Sequence, residues 1–141
     1  MALTDNSGTQ MRTALVERLS DPARSLLHEI ETYSGVQVSF ERVPHRVIAA
    51  ISDTATCVSV EIGASAARIF LQPAGSVCEG DIVHELLHIK LKWLDGWPAV
   101  AAAPGSPNRE ALLGDVGIVL ETFFEHAILH PQTYRLVAGA R

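Results

Sequence analysis

The sequence predicts an α+β fold: a small, mainly antiparallel sheet with an N-terminal helix, a central helix and a C-terminal helix. Three observations predict it. Val36, Val38 and Phe40 alternate with Gln37, Ser39 and Glu41, the two-residue period of a half-buried strand. Helix-start signals and apolar residues spaced three to four apart flank the strand region on both sides. Between them, His84-Glu85-Leu86-Leu87-His88 places two histidines one helical turn apart.

At 141 residues the chain is long enough for one domain, 1–141, with its own hydrophobic core. An apolar fraction of 48% with 19% charged residues fits a folded globular chain and excludes a disordered one. The net charge of −5 argues against a nucleic-acid partner, which calls for a basic surface. The opening residues lack the apolar stretch of a signal peptide, and no apolar run approaches the ~18 residues needed to cross a bilayer. These features give the expectation of a soluble, cytoplasmic protein with no membrane partner. Cys57 and Cys78 have no CxxC spacing and are expected as separate, partly buried thiols.

Along the chain, residues 1–10 read as a flexible tail, and 11–20 as a helical turn or the start of the next helix. Asp21-Pro22 opens a helix, with Asp21 as cap and proline where its missing N–H costs nothing. Leu26, Leu27 and Ile30 form its apolar stripe, and Gly35 stops it. The strand after Val36 breaks at Pro44. Val47–Ile51, Cys57–Ile62 and Ala67–Leu71 read as three more strands, separated by turn residues. Ser76 and Glu79 then fit a capping box for a helix running to Trp93 or Leu94, stopped by Gly96-Trp97-Pro98. After an Ala/Pro/Gly-rich loop over 98–106, Ser106-Pro107 opens a last helix that extends to His130-Pro131. Gly114 and Gly117 are its weak points, each costing about 1 kcal/mol relative to alanine.

On a helix, the i, i+4 spacing of His84 and His88 lets both imidazoles hold one metal ion, and Glu85 can reach a water on that metal. This is the HExxH arrangement, with zinc (Zn2+) as cofactor and glutamate as general base. Ile82, Val83, Leu86, Leu87 and Ile89 bury much of this helix, and buried histidines need polar partners. His28-Glu29-Ile30-Glu31-Thr32 begins in the same way but has threonine in the second histidine's place, so His28 is read as an ordinary helical residue.

A third ligand is expected from the C-terminal helix. Glu121 and Glu125 share one face there, and His126 and His130 share another. Glu125 is the first choice and Glu121 the alternative, with the acid that is not a ligand free to orient a ligand imidazole. His126 or His130 ranks third. Phe123, Phe124, Ile128 and Leu129 make the helix apolar, which argues against both acids being solvated surface charges.

The order HExxH, then a glutamate on a later helix, resembles the gluzincin group of zinc metallopeptidases. Residues 66–131, with the segment Glu125-His126-x-x-Leu129-x-Pro131, resemble more narrowly the small bacterial ImmA/IrrE-type metallopeptidase domains. Leu87 stands where those families commonly have glycine. The resemblance implies a compact zincin-like domain that cuts a protein or peptide substrate. Under it His84 and His88 match the ligand pair, Glu85 the base, and Glu125 or Glu121 the acidic ligand. The alternative expectation is a catalytically silent zinc-binding module that works through a partner. A third is that the histidines are structural. Tyr134 and His126 are candidates to stabilise an oxyanion.

Overall fold

The computed structural model describes residues 6–42, 58–71, 77–96, 104–105, 114 and 117–138. In chain order these give helices α1 (Asn6–Arg18) and α2 (Asp21–Ser34) and strands β1 (Val38–Arg42), β2 (Val58–Ile62) and β3 (Ala67–Leu71). Helices α3 (Glu79–Trp93) and α4 (Gly117–Ala138) follow. The fold class is α+β, as the sequence predicts. The Val47–Ile51 run, Cys57 and most of the 98–106 loop lie outside the described residues.

The sheet has the order β1-β3-β2. β2 and β3 pair antiparallel, while β1 and β3 pair parallel, so the described sheet is mixed rather than mainly antiparallel. The reason is physical: side-chain alternation specifies which face of a strand is buried and says nothing about its direction. The faces agree with the alternation. Phe40, Ile69 and Val60 line up across the three strands, and Phe40 and Ile69 are buried. The turn between β2 and β3 is closed by the Gly63 N–H, which donates to Ala66 O at 2.8 Å.

α1 begins at Asn6, so half of the segment expected as a tail is helical. It is held through its partners rather than by local signals. Arg12 Nη2 donates to Glu31 Oε1 at 2.6 Å, and the same oxygen accepts the Val38 N–H at 2.9 Å. Arg12 Nε also donates to Val38 O, at 3.3 Å, so one carboxylate ties α1, α2 and β1 together. α2 starts and stops as expected, except that Ser20 holds the cap position and Asp21 the first helical one. Gly35 adopts φ 71°, the left-handed conformation glycine favours, and its N–H closes the last turn on Glu31 O at 2.9 Å.

α3 carries the densest part of the core: Ile82, Val83, Leu86, Leu87, Ile89 and Leu91 are all buried. It starts at Glu79 with Cys78 as cap; Ser76, the cap expected from the sequence, lies outside the described residues. The Glu79 carboxylate does not reach back along its own helix. It accepts the Ser20 N–H at 2.5 Å and so fixes the start of α3 against the start of α2. Cys78 is an exposed free thiol, where partial burial was expected. At the other end Trp93 packs against the core and donates its indole N–H to Gly63 O at 3.0 Å.

α4 runs to Ala138 and passes through Pro131, where the sequence suggests an end. Proline removes one hydrogen bond to residue i−4. That residue is Ala127, which is exposed, so its freed carbonyl has access to water. Packing on both sides of the proline offsets the penalty: Leu129 is buried, and Leu136 and Val137 rest on the core. α3 and α4 run antiparallel along a shared seam. His88 meets Glu125 at one end, and Gly80 faces Val137 at the other. No described helix is long and apolar enough to cross a membrane.

Candidate metal centre

The six apolar residues of α3 turn toward the core and leave His84 and His88 half-buried on the face that meets α4. One turn apart, their Nε2 atoms stand 3.2 Å from each other. α4 repeats the spacing from the other side of the seam. His126 and His130 are also four apart, and both rings reach the pair on α3. The His84 ring stacks on His126 at 5.1 Å between centroids and lies 5.3 Å from His130, while His88 meets His126 edge-on at 5.2 Å. Four imidazoles therefore meet in one place. A nitrogen from each of His84, His126 and His130 lies within 4.8 Å of the others.

The outer nitrogens of the α3 pair are both held. His88 Nδ1 lies 2.9 Å from Glu125 Oε2. His84 Nδ1 lies 3.3 Å from Thr133 Oγ1, whose hydroxyl already donates to Leu129 O at 3.0 Å. With that hydrogen committed, Thr133 can only accept from His84, and an ionised Glu125 can only accept from His88. Both rings then carry their proton on Nδ1 and point a bare lone pair from Nε2. Two lone pairs 3.2 Å apart repel unless a cation lies between them. Tetrahedral Zn–N bonds of about 2.0–2.1 Å set ligand nitrogens about 3.3 Å apart, so the spacing suits a metal ion.

The electrostatics point the same way. Burial, followed by the neighbouring His126 and His130, lowers the His84 pKa to about 4. Burial, then His84 and His126, lowers that of His88 to about 3. His126 is lowered by burial and then by His130. Neutral imidazole is the form that binds metal. Glu85, half-buried beside His84, is raised to about 7 by burial and then by the charge of Asp81. A carboxyl at that value can take and return a proton near neutral pH.

The acids sit differently from the expectation. Glu125 is buried, at 7% exposure, but it stands behind His88 on Nδ1 rather than beside the Nε2 atoms. A carboxylate so placed can orient a ligand imidazole, the role the sequence reading gave to the acid that is not a ligand. Burial raises its pKa, Lys92 opposes this, and Glu121 adds to it. Glu121 is half-buried and, among the described residues, joins no group of metal donors. The reason given for expecting a buried acid also changes. Phe123 and Phe124 are exposed, at 66% and 49%, with their rings against each other, so α4 is not apolar on every side.

Sequence reasoning ranked His126 and His130 last and missed Thr133. The signal was there: the four-residue spacing of His126 and His130 copies that of His84 and His88, and the rings of the two pairs meet across neighbouring helices. His28, by contrast, is exposed and has Thr32 Oγ1 for company at 3.5 Å.

A cavity of about 640 Å³ opens along the seam from the histidines toward the N-terminal end of α3, bounded by Asp81 and His84 on one side and His130, Tyr134 and Val137 on the other. No family model, no curated protein and no solved structure matches the chain.

Proposed function

We propose that the chain is a zinc-dependent hydrolase, a peptidase of the HExxH kind acting on a protein or peptide in the cytoplasm. The observation that carries this reading is the pair of Nε2 atoms at 3.2 Å, each ring backed on Nδ1 by an acceptor. His84 and His88 supply two ligands, and His126 or His130 a third. Glu125 and Thr133 fix the ring tautomers. The resemblance to the gluzincin pattern then holds for the HExxH helix and not for the third ligand.

When bound, zinc supplies Lewis acidity, lowering the pKa of a water ligand to about 7 and polarising a carbonyl. Glu85 takes the proton that the attacking water gives up and passes it to the leaving amine. Its pKa of about 7 suits both transfers. His84 and His88 stay unprotonated through the cycle because burial disfavours their charged forms.

One observation favours a second reading. Four imidazoles meet, and four protein ligands make a closed, structural zinc site with no position for water. Metal analysis and turnover by Glu85→Gln separate the two. The hydrolase reading expects about one zinc per chain and loss of turnover with zinc retained. A wild-type chain that binds zinc and cleaves no peptide leaves the closed site, and a folded chain that binds no metal ends both.

A further inference from the structure

Beyond the donor set, the seam cavity has a chemical character of its own. On α3, Asp81, His84 and His88 follow one another at three- and four-residue steps, so Asp81 shares the face of the histidine pair. On α4, His126, His130 and Tyr134 do the same. His84, His126 and His130 line the cavity between the two helices, and Asp81 from α3 and Tyr134 from α4 line it as well. Among the described residues no lysine or arginine lines this cavity, and Asp81 is its one carboxylate. Tyr134 is 75% exposed, leaving its ring free to receive a guest.

Resting on the hydrolase reading above, we infer that this cavity selects a peptide with a lysine or arginine side chain beside the scissile bond, bound by Asp81 against the ring of Tyr134. A carboxylate with an aromatic face opposite is a chemistry that recognises a cation. Among the described residues Asp81 joins no ion pair, so its charge is free to meet a cation. Reach sets the position. Asp81 and His84 are about 4.5 Å apart along the helix axis, and an extended peptide advances about 3.3 Å per residue. The basic residue therefore flanks the cleaved bond directly or stands one place away.

The test uses the full zinc-loaded chain and fluorogenic peptides with one position at a time fixed as lysine, norleucine or glutamate. Lysine near the cleaved bond should raise kcat/KM about tenfold over norleucine, the worth of one partly desolvated charge pair, and glutamate should lower it. Asp81→Asn should bring the lysine-to-norleucine ratio close to one, and Asp81→Glu should restore it. Using the ratio cancels any effect of Asp81 on Glu85. Cleavage with no basic preference, or a preference that survives Asp81→Asn, overturns the inference and leaves the hydrolase reading standing. Binding is measured separately by fluorescence anisotropy on zinc-loaded Glu85→Gln. Tighter binding of the lysine peptide that Asp81→Asn removes, without cleavage by the wild type, supports the cation site and sinks the hydrolase. Equal binding of lysine and norleucine peptides, with no cleavage, sinks both.

Discussion

Glu125 touches His88 on the ring nitrogen that does not face His84, at 2.9 Å from Nδ1. An acid in this place acts on the metal through the imidazole, by fixing its tautomer and raising its basicity. Glu125→Gln should weaken zinc binding by about 10- to 100-fold, measured by competition with a chromophoric chelator. Glu121→Ala should do less than Glu125→Ala. The reverse ranking would return Glu121 to the donor set.

Replacing the histidines of α4 tests the ligand set directly. His126→Ala and His130→Ala should each weaken zinc binding, and the double variant should reduce it to what the HExxH pair holds alone. A double variant with wild-type affinity would hand the third position back to an acid. His28→Ala, at an exposed position on α2, is the control and should leave binding unchanged.

Without metal, acid should unfold the chain in a defined range. His84 and His88 titrate near the ordinary 6.5 when unfolded but at about 4 and about 3 when folded. Between those values the unfolded state binds more protons, so this contribution is complete above pH 6.5 and is lost as pH falls toward 4 and 3. Glu85 works in the opposite sense. Its folded pKa of about 7 lies above the ordinary 4.5, so its effect favours folding at low pH and is lost as pH rises through 7. Two imidazoles outweigh one carboxyl, so the metal-free melting temperature should drop from pH 7 to pH 4. Glu85→Gln should make that drop steeper. A melting temperature that rises on acidification would contradict the burial of the pair.

Zinc should raise the melting temperature as well as bind. A ligand that binds only the folded state at about a thousand times its Kd adds about 4 kcal/mol. Chelation should reverse the rise, and a scan with and without chelator measures it. No change with zinc bound would mean that the unfolded chain holds the ion equally well.

Glu31 offers a structural contrast. Its Oε1 accepts from both Arg12 and the Val38 N–H, so Glu31→Ala strands a donor between α1, α2 and β1. The expected loss is about 1–3 kcal/mol in denaturant unfolding, with zinc affinity unchanged. A shift in zinc affinity would show that the far end of the sheet is coupled to the seam.

Local features were legible in the sequence wherever the physics is local. Gly35 ends α2 because it takes the left-handed conformation, and the buried faces of β1 and β3 follow from alternation. The HExxH helix was visible because its apolar residues and its histidines occupy complementary arcs. Strand direction was not legible, since β1 would show the same alternation in either sense. The continuation of α4 past Pro131 was hidden for another reason: the proline penalty is local, whereas the contacts of Leu129, Leu136 and Val137 that outweigh it are tertiary. The choice among Glu121, Glu125, His126 and His130 depends on how α4 is rotated against α3. Spacing along one helix cannot give that rotation, although the matched pairs of histidines were a usable hint.

The donors come from both helices, His84 from α3 and His126 and His130 from α4, and the helices differ in how many large apolar side chains they bury. α3 buries six apolar side chains, while Leu129 is the one large apolar side chain that α4 buries among those described. In any chain whose α4 is undocked the donors stand apart. An apparent affinity falls in proportion to the fraction of chains that are competent to bind. Loss of packing at Leu129, a residue that touches no ligand atom, would then register in a titration as a defect in metal binding.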